Sequence, residues 1–511
     1  MSPDGSGRRA AAGRGTPALA GKGIGMSSCA RRYDPRLALT AMMLAAVLVA
    51  GCARGRHAPK FQPPPAKEKH ASAAAQQLRA GARGANLIVI VFDAARADHF
   101  GAYGYRWPTT PNVDKLLAGS VVFDQAYCTA SNTKASITSF LTSQFPDTHG
   151  TLTTHWMMNA EAGTLSESLQ KAGYRTASFI ANPVLAACFG FDRGFDDFDE
   201  VFRKADRHPL KPLDWGNVDA SLVAEDVTAW LDEHQHERFF TYIHFLEPHG
   251  PYDATEEFRR RVMGPGRKEK LDDLPVRYDG RLAYVDSQVG RVLAKIDALG
   301  LQEKSVIIFM ADHGEALGER GVTGHGKYGY VEMARVPLGI RLPEACGAAP
   351  ARRSEIISLT DLMPTLADLL QFAPPETMQG RSRLRLLAGE EETEPAFAVT
   401  RGRGEDDTGG MEDITQVCYG FRTPGYTLAL GDQGRQVELY EWETDPEENH
   451  DLASQERRVV KRMRRQFVAW AGTQRNRPVV LRGGKLPTPP SKAPEVDEKT
   501  RKRLRALGYL K

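Results

Sequence analysis

Three apolar runs in the chain end in residue types that bind divalent cations. LIVIVF, Leu87 to Phe92, is followed by Asp93; FFTYIHF, Phe239 to Phe245, by Leu246-Glu247-Pro248-His249; and SVIIFM, Ser305 to Met310, by Ala311-Asp312-His313. Carboxylates and imidazoles are the ligand set of a hard or borderline metal ion. One such residue after an apolar run means little, whereas three runs ending this way point to one centre. A nucleophile is on offer in CTASNTKASITSFLTSQFPDTHG, Cys128 to Gly150, where a cysteine, threonines and serines cluster. A hydroxyl there, next to a metal, would be easier to deprotonate.

These residues act together only if the fold assembles them. From Asn86 onward, short β-branched runs alternate with amphipathic helical ones, the pattern of a sheet with helices on both faces. Ligands of such sheets bind beyond the carboxyl ends of the strands, so the three clusters are expected to converge there. VVFDQAY, Val121 to Tyr127, reads as extended, and KASITSFL, with Ile137, Phe140 and Leu141 at helical spacing, reads as the start of a helix. Thr133 then sits at a helix N-terminus, where free N–H groups and the dipole stabilise an oxyanion. Threonine is also a good N-cap, and helix chemistry alone does not choose between the two roles.

With 511 residues, 41% hydrophobic and 26% charged, the chain suits one large α/β unit and a smaller appendage. Lys+Arg of 67 against Asp+Glu of 64 leaves a net charge of +3, so no basic footprint calls for nucleic acid. The cysteines at 29, 52, 128, 188, 346 and 418 show no CxxC spacing, which argues against a zinc module or disulfide framework. After Arg31-Arg32 comes LALTAMMLAAVLVAG, Leu37 to Gly51, of signal-peptide length, ending in Val49-Ala50-Gly51-Cys52. That ending resembles a bacterial lipobox and predicts export with a lipid on Cys52, within a signal of residues 1–52 whose start is Met1 or Met26. Ala53 after the cysteine favours the outer membrane. Residues 53–85, with Pro63-Pro64-Pro65 and an Ala-rich stretch, read as a disordered tether.

In order along the chain, NLIVIVFDAARADHFGAYGY, TLSESLQKAGYRTASF, HFLEPHGPY, YDGRLAYVDSQVGRVL, ADHGEALGERGVTGHGKYGYVEMARVPL and SLTDLMPTLADLL resemble the sulfatase-type branch of the alkaline phosphatase superfamily. LYEWETDPEENHDLA and the terminal RLRALGYL extend the likeness. The resemblance implies an α/β fold, an alkaline-phosphatase-like α/β/α sandwich with a mixed central sheet and a smaller C-terminal α+β subdomain. The catalytic domain is expected at 86–372, the subdomain at 373–472, and a linker with a terminal helix at 473–511. It further implies that Asp93, Asp312 and His313 hold a divalent metal. The family nucleophile lies nine residues before the Thr of an LTG motif; here that motif is Leu141-Thr142-Ser143, so Thr133 is the implied nucleophile and a further metal ligand. Cys128 begins like the C/S-x-P/A-x-R motif that becomes formylglycine, but Asn132 stands where Arg is required, and Cys128 is expected to be a packed thiol.

Two departures bear on the chemistry. A formylglycine hydrate expels sulfate through its second hydroxyl; threonine has only one, which suits a phosphorus ester resolved by in-line attack. Ala94 stands where calcium-binding sulfatases carry another Asp, which moves the expected metal toward Zn or Mn, with Ca as the alternative. Glu247, His249, His325 and Lys327 match family positions for substrate oxyanions or leaving-group protonation, and Glu247, His249 and His325 could instead hold a second metal. Arg96 matches a substrate-binding position or pairs with Asp98, and Asp286 is expected to be structural. The expectation is a lipid-anchored, metal-dependent hydrolase or transferase acting on phosphate or phosphonate esters, with a lipid head group or a glycan as the substrate's carrier. A sulfatase of envelope or polysaccharide sulfates and an inactive binder of anionic ligands are the alternatives.

Overall fold

The computed structural model describes residues 72–153, 156–204, 219–392, 396–402, 417–431, 434–476, 478, 481, 494–507 and 509. Cys52 and the expected lipobox, and the chain as far as residue 71, lie outside them. The expected tether ends earlier than residue 85. Helix α1, Ala73–Gly81, is capped by the Ser72 side chain and buries Ala75 and Leu78. An Ala-rich stretch needs few apolar side chains to dock when the helix packs closely, which is why composition concealed it.

LIVIVF forms the centre of strand β1, Asn86–Asp93, buried along its whole length. Burial on both faces accounts for a continuous rather than alternating apolar run. The other elements follow in chain order: α2 (Pro111–Ala118), β2 (Val121–Tyr127), α3 (Thr133–Thr142), α4 (Leu165–Lys171), β3 (Arg175–Ile180), β4 (Asp197–Asp199), α5 (Ala220–His234), β5 (Phe239–Pro248), α6 (Leu274–Ala298), β6 (Ser305–Ala311), β7 (Leu338–Arg341), β8 (Ala351–Ser358) and α7 (Leu362–Leu370). The strands form one eight-stranded sheet in the order β8-β2-β7-β6-β1-β5-β3-β4. All neighbours are parallel except at β7, which runs antiparallel to β2 and β6, so the sheet is mixed.

Register aligns the strand ends that carry the chemistry. Phe92 pairs with Phe245 on one side and Ala311 on the other, and His244 pairs with Val91 and Ile180. Asp93, the residues after β5, Asp312-His313 and Asn182 therefore leave the sheet at one level. Asp286, in α6, accepts from the backbone N–H of Val113 at 2.8 Å and of Asn112 at 3.1 Å, tying α6 to the start of α2 as a structural carboxylate.

Beyond α7 a second, antiparallel sheet forms from β9 (Ala398–Gly402), β10 (Cys418–Thr423), β11 (Tyr426–Gly431) and β12 (Gln436–Tyr440) in sequential order. Helix α8, Arg457–Ala471, buries Met463, Phe467 and Trp470 in a core shared with Tyr419, Phe421 and Leu428 of that sheet. Helix α9, Glu498–Ala506, is capped by Asp497 and anchored by Leu504, which is 1% exposed. Among the described residues no helix is long and apolar enough to cross a membrane.

Candidate active site

Thr133 is the first residue of α3, and the cap before it is Asn132, whose side chain accepts from Ala135 N. The Thr133 hydroxyl is therefore not used in capping. It points off the helix to the end of the sheet, with Oγ1 at 3.4 and 3.3 Å from the two Asp93 oxygens and 3.2 Å from His313 Nε2. The helix begins here because Asn132 is extended (φ −148°) and supplies the cap, and Leu141-Thr142-Ser143 ends it with Ser143 in the left-handed region (φ 54°). Glycine is the usual residue at such a position; Ser143 compensates with its own bonds, its hydroxyl donating to Thr360 O at 2.7 Å.

Asp93, His244 and Asp312 each offer one ligand atom, all within 4.8 Å of one another, and all three are buried. His313 Nδ1 donates to Gly314 O at 2.8 Å, which leaves Nε2 as the lone-pair nitrogen facing Asp312 Oδ2 at 3.4 Å and Asp93 Oδ1 at 3.7 Å. Ala94, with φ 59°, turns the chain so that its N–H donates to Asp312 Oδ1 at 3.0 Å. A left-handed alanine costs on the order of 1 kcal/mol, a cost tolerated where it shapes a site. The other oxygen, Asp312 Oδ2, has no hydrogen-bond partner among the described residues. Two buried carboxylates, one with an orphaned oxygen, beside the His244 and His313 imidazoles are unfavourable by themselves and fit a divalent cation.

Electrostatics agree with that geometry. Burial opposes ionisation of Asp93, but the His244 hydrogen bond and the neighbouring imidazoles of His249, His244 and His313 hold its carboxyl well below the ordinary range. Burial and the neighbouring Asp93 charge push Asp312 the other way, upward.

A second group of side chains faces the first. His325 Nδ1 bonds Glu315 Oε1 at 2.9 Å, and its ring centroid lies 4.4 Å from that of His313 and 4.8 Å from that of His249. Burial lowers the basicity of His325, but the Glu315 charge and hydrogen bond overcome it and raise the pKa to about 9. Burial, together with the charge of His325, lowers the pKa of His249. The pair is thus split into one imidazolium and one neutral imidazole, a division that suits an acid and a base. Lys327 is half-buried on the loop where Gly326 passes Ser131, and has no ion pair among the described residues.

Two expected site residues are placed elsewhere. Glu247 turns toward the start of α5, accepting from Ala220 N at 3.2 Å and pairing with Arg281 at 3.2 Å, so it joins neither a substrate site nor a second-metal set with His249 and His325. Burial raises its pKa to about 7. Arg96 spends its guanidinium on Asp98 at 2.7 Å and Glu319 at 2.5 Å, the pairing alternative rather than substrate binding. Cys128 is a packed thiol, donating to Met333 O at 3.5 Å, with burial pushing its pKa up.

Three site residues went unread in the sequence. His244 is the lone imidazole in an apolar strand, on the same face as Tyr242, whose hydroxyl bonds its Nδ1 at 2.9 Å. Asn182, which donates to Asp93 Oδ2 at 2.6 Å, follows β3 as Asp93 ends β1, so the rule applied to three strand ends would have found a fourth. Glu315 stands two residues after His313 and gave no signal of its own.

Residues 85–372 match the family described as Sulfatase, and residues 318–471 match the family described as N-sulphoglucosamine sulphohydrolase, C-terminal. The chain is similar to an arylsulfatase of Clostridium perfringens, 25% identical over 380 residues that span 59% of this chain and 78% of the relative. It is also similar to a choline-sulfatase of Rhizobium meliloti, 25% identical over 381 residues, 61% of this chain and 73% of the relative. Among solved structures, the phosphonate monoester hydrolase of Agrobacterium radiobacter superposes with a TM-score of 0.61 at 21% identity, covering 76% of this chain and 96% of that one.

Proposed function

From the premise that the chain belongs to the sulfatase family of hydrolases, we propose that it cleaves phosphate or phosphonate esters with Thr133 as the nucleophile. The observation that carries this reading is the Thr133 hydroxyl, free of capping and 3.2 Å from His313 Nε2 beside both Asp93 oxygens. Asp93, Asp312, His244 and His313 would hold a divalent cation, which supplies Lewis-acid charge at the reacting centre. Two imidazoles beside two carboxylates suit Zn or Mn better than Ca.

The chain's own groups supply the rest. Thr133 Oγ gives its proton to the Asp93 carboxylate it contacts and forms a bond to phosphorus as the ester's leaving oxygen departs, giving a threonine ester at the N-terminus of α3, where backbone N–H groups favour added negative charge. Protonated His325, fixed by Glu315, stabilises an oxygen of the transferring group or protonates the leaving one. Neutral His249 takes the proton of the water or alcohol that resolves the ester. Lys327 offers charge to the anionic group. Phosphorus is favoured over sulfur because threonine lacks the second hydroxyl through which a formylglycine hydrate expels sulfate. Sulfate esters remain the second reading, favoured by the arylsulfatase and choline-sulfatase relatives.

The test is steady-state hydrolysis of an aryl phosphonate monoester, an aryl phosphate diester and an aryl sulfate by the chain and by Thr133→Ala. The reading predicts faster turnover of a phosphorus ester, lost in the variant while bound metal is kept. Turnover retained by Thr133→Ala contradicts it. Export and lipid attachment at Cys52 form part of the proposal, checked by the mass of the membrane-extracted N-terminal peptide.

A further inference from the structure

Tyr509 comes from the far end of the chain, yet its hydroxyl lies among the reacting groups. Its Oη is 2.9 Å from His249 Nε2 and accepts from Asn182 Nδ2 at 3.3 Å, and it is in hydrogen-bonding contact with the Thr133 side chain. Asn182 also donates to Asp93 Oδ2 at 2.6 Å, so the phenol belongs to the same network as the candidate metal ligands. The His249 Nδ1–H is committed to Gly250 O at 2.6 Å, which leaves Nε2 as an acceptor. Because Oη accepts from Asn182, the single phenolic proton is the group's only gift, and in this arrangement it points to His249 Nε2 or Thr133.

The tail that delivers this phenol is anchored. Arg203 pairs with Asp497 at 2.8 Å and donates to Thr500 Oγ1 at 2.9 Å, Asp497 caps α9 through Thr500 N at 3.0 Å, and Leu504 is buried. Tyr509 N then bonds Leu504 O at 2.8 Å, fixing the turn that swings the ring inward.

We propose that Tyr509 is a catalytic residue: its O–H donates to a non-bridging oxygen of the tetrahedral ester group that Thr133 attacks, so that the chain's own C-terminus completes the active site. The proposal deepens the reading of this site as an ester hydrolase with Thr133 as nucleophile and rests on it. A preorganised donor aimed at a developing oxyanion is worth more in a dry site than in water, and removal of one such donor costs about 100- to 1,000-fold in rate at the upper end.

The experiment compares full-length, metal-loaded wild type with Tyr509→Phe and with Thr133→Ala. Equilibrium titrations with inorganic phosphate and with sulfate are read beside hydrolysis of the three aryl esters. Tyr509→Phe is expected to weaken binding of the preferred anion about 5- to 10-fold and to lower kcat/KM about 10- to 100-fold, with Tm within about 2 °C of wild type. Binding and turnover both within about twofold of wild type overturn the proposal. Tighter anion binding or faster turnover in Tyr509→Phe makes the tail a plug, and also overturns it. So does a wild-type protein that binds neither anion. Turnover retained by Thr133→Ala while Tyr509→Phe weakens anion binding removes the nucleophile and leaves the donor standing.

Discussion

Asp279 and Asp312 are both fully buried carboxylates, but their surroundings differ in kind. Asp279, in the second turn of α6, receives His99 Nδ1 on one oxygen at 2.6 Å, and Tyr105 Oη and Arg267 Nη2 on the other, each at 2.6 Å. Every lone pair that matters is matched, and the cluster joins α6 to the loop after β1. Asp312 has one oxygen on the N–H groups of Ala94 and His313, and the other, 3.4 Å from His313 Nε2, accepts no hydrogen bond among the described residues and lies beside a second carboxylate. A buried charge with its partners in place is a tie between elements. One left short of them, at a strand end beside imidazoles, fits a divalent cation.

Removing Asp312 should sharpen the contrast most. Asp312→Ala is expected to lose about 10⁴-fold in kcat/KM, about 5 kcal/mol of transition-state stabilisation, together with its bound metal, while losing little stability because a repulsive charge is relieved. Metal analysis, ester kinetics and urea unfolding read the three effects; full activity in the variant breaks the comparison. Asp279→Ala should do the reverse. It leaves Arg267 buried without its partner and is expected to cost about 3–5 kcal/mol in urea unfolding, with kcat of the folded protein within about threefold of wild type.

The smallest effect concerns Asp286, a matched carboxylate whose pKa burial nevertheless raises to about 6. The unfolded value is about 3.9, so the folded state binds this proton more tightly. Its stabilisation is complete below about pH 4 and is lost as pH rises through about 6, amounting to about 3 kcal/mol across that window. Asp286→Asn cannot titrate, so its destabilisation relative to wild type should be about 2 kcal/mol larger at pH 4.5 than at pH 7. Equal destabilisation at both values would mean that the charge state of Asp286 does not differ between folded and unfolded chains.

What was legible in the sequence follows the same division. The sheet was readable because β1, β5 and β6 are apolar runs buried on both faces, and Asp93, Asp312 and His313 were readable because strand ends carry ligands in such folds. Thr133 came only from the family resemblance, which places a nucleophile nine residues before the Thr of the LTS sequence, and the structure adds the Asn132 cap that frees its hydroxyl. His244 stayed hidden because a polar residue inside an apolar strand reads as a satisfied core histidine until its neighbours across the sheet are known. Glu247 misled in the opposite way: it lies in the same motif as His249, but the chain turns it toward Arg281. Arg96 was open to both roles, and only the position of Glu319, brought in from beyond β6, decided for pairing. Tyr509 lies in the terminal RLRALGYL that extends the family likeness, but its role was unreadable because it depends on where a terminal helix docks.

The central claim, that a threonine hydroxyl in this unmatched cluster is the nucleophile, is tested most directly by mass spectrometry of the Thr133 peptide from protein acid-quenched during turnover of an aryl phosphonate or phosphate ester. The account predicts the mass of a phosphonyl or phosphoryl group on Thr133. An unmodified Thr133 with the group on another residue, or a formylglycine at Cys128, would contradict it.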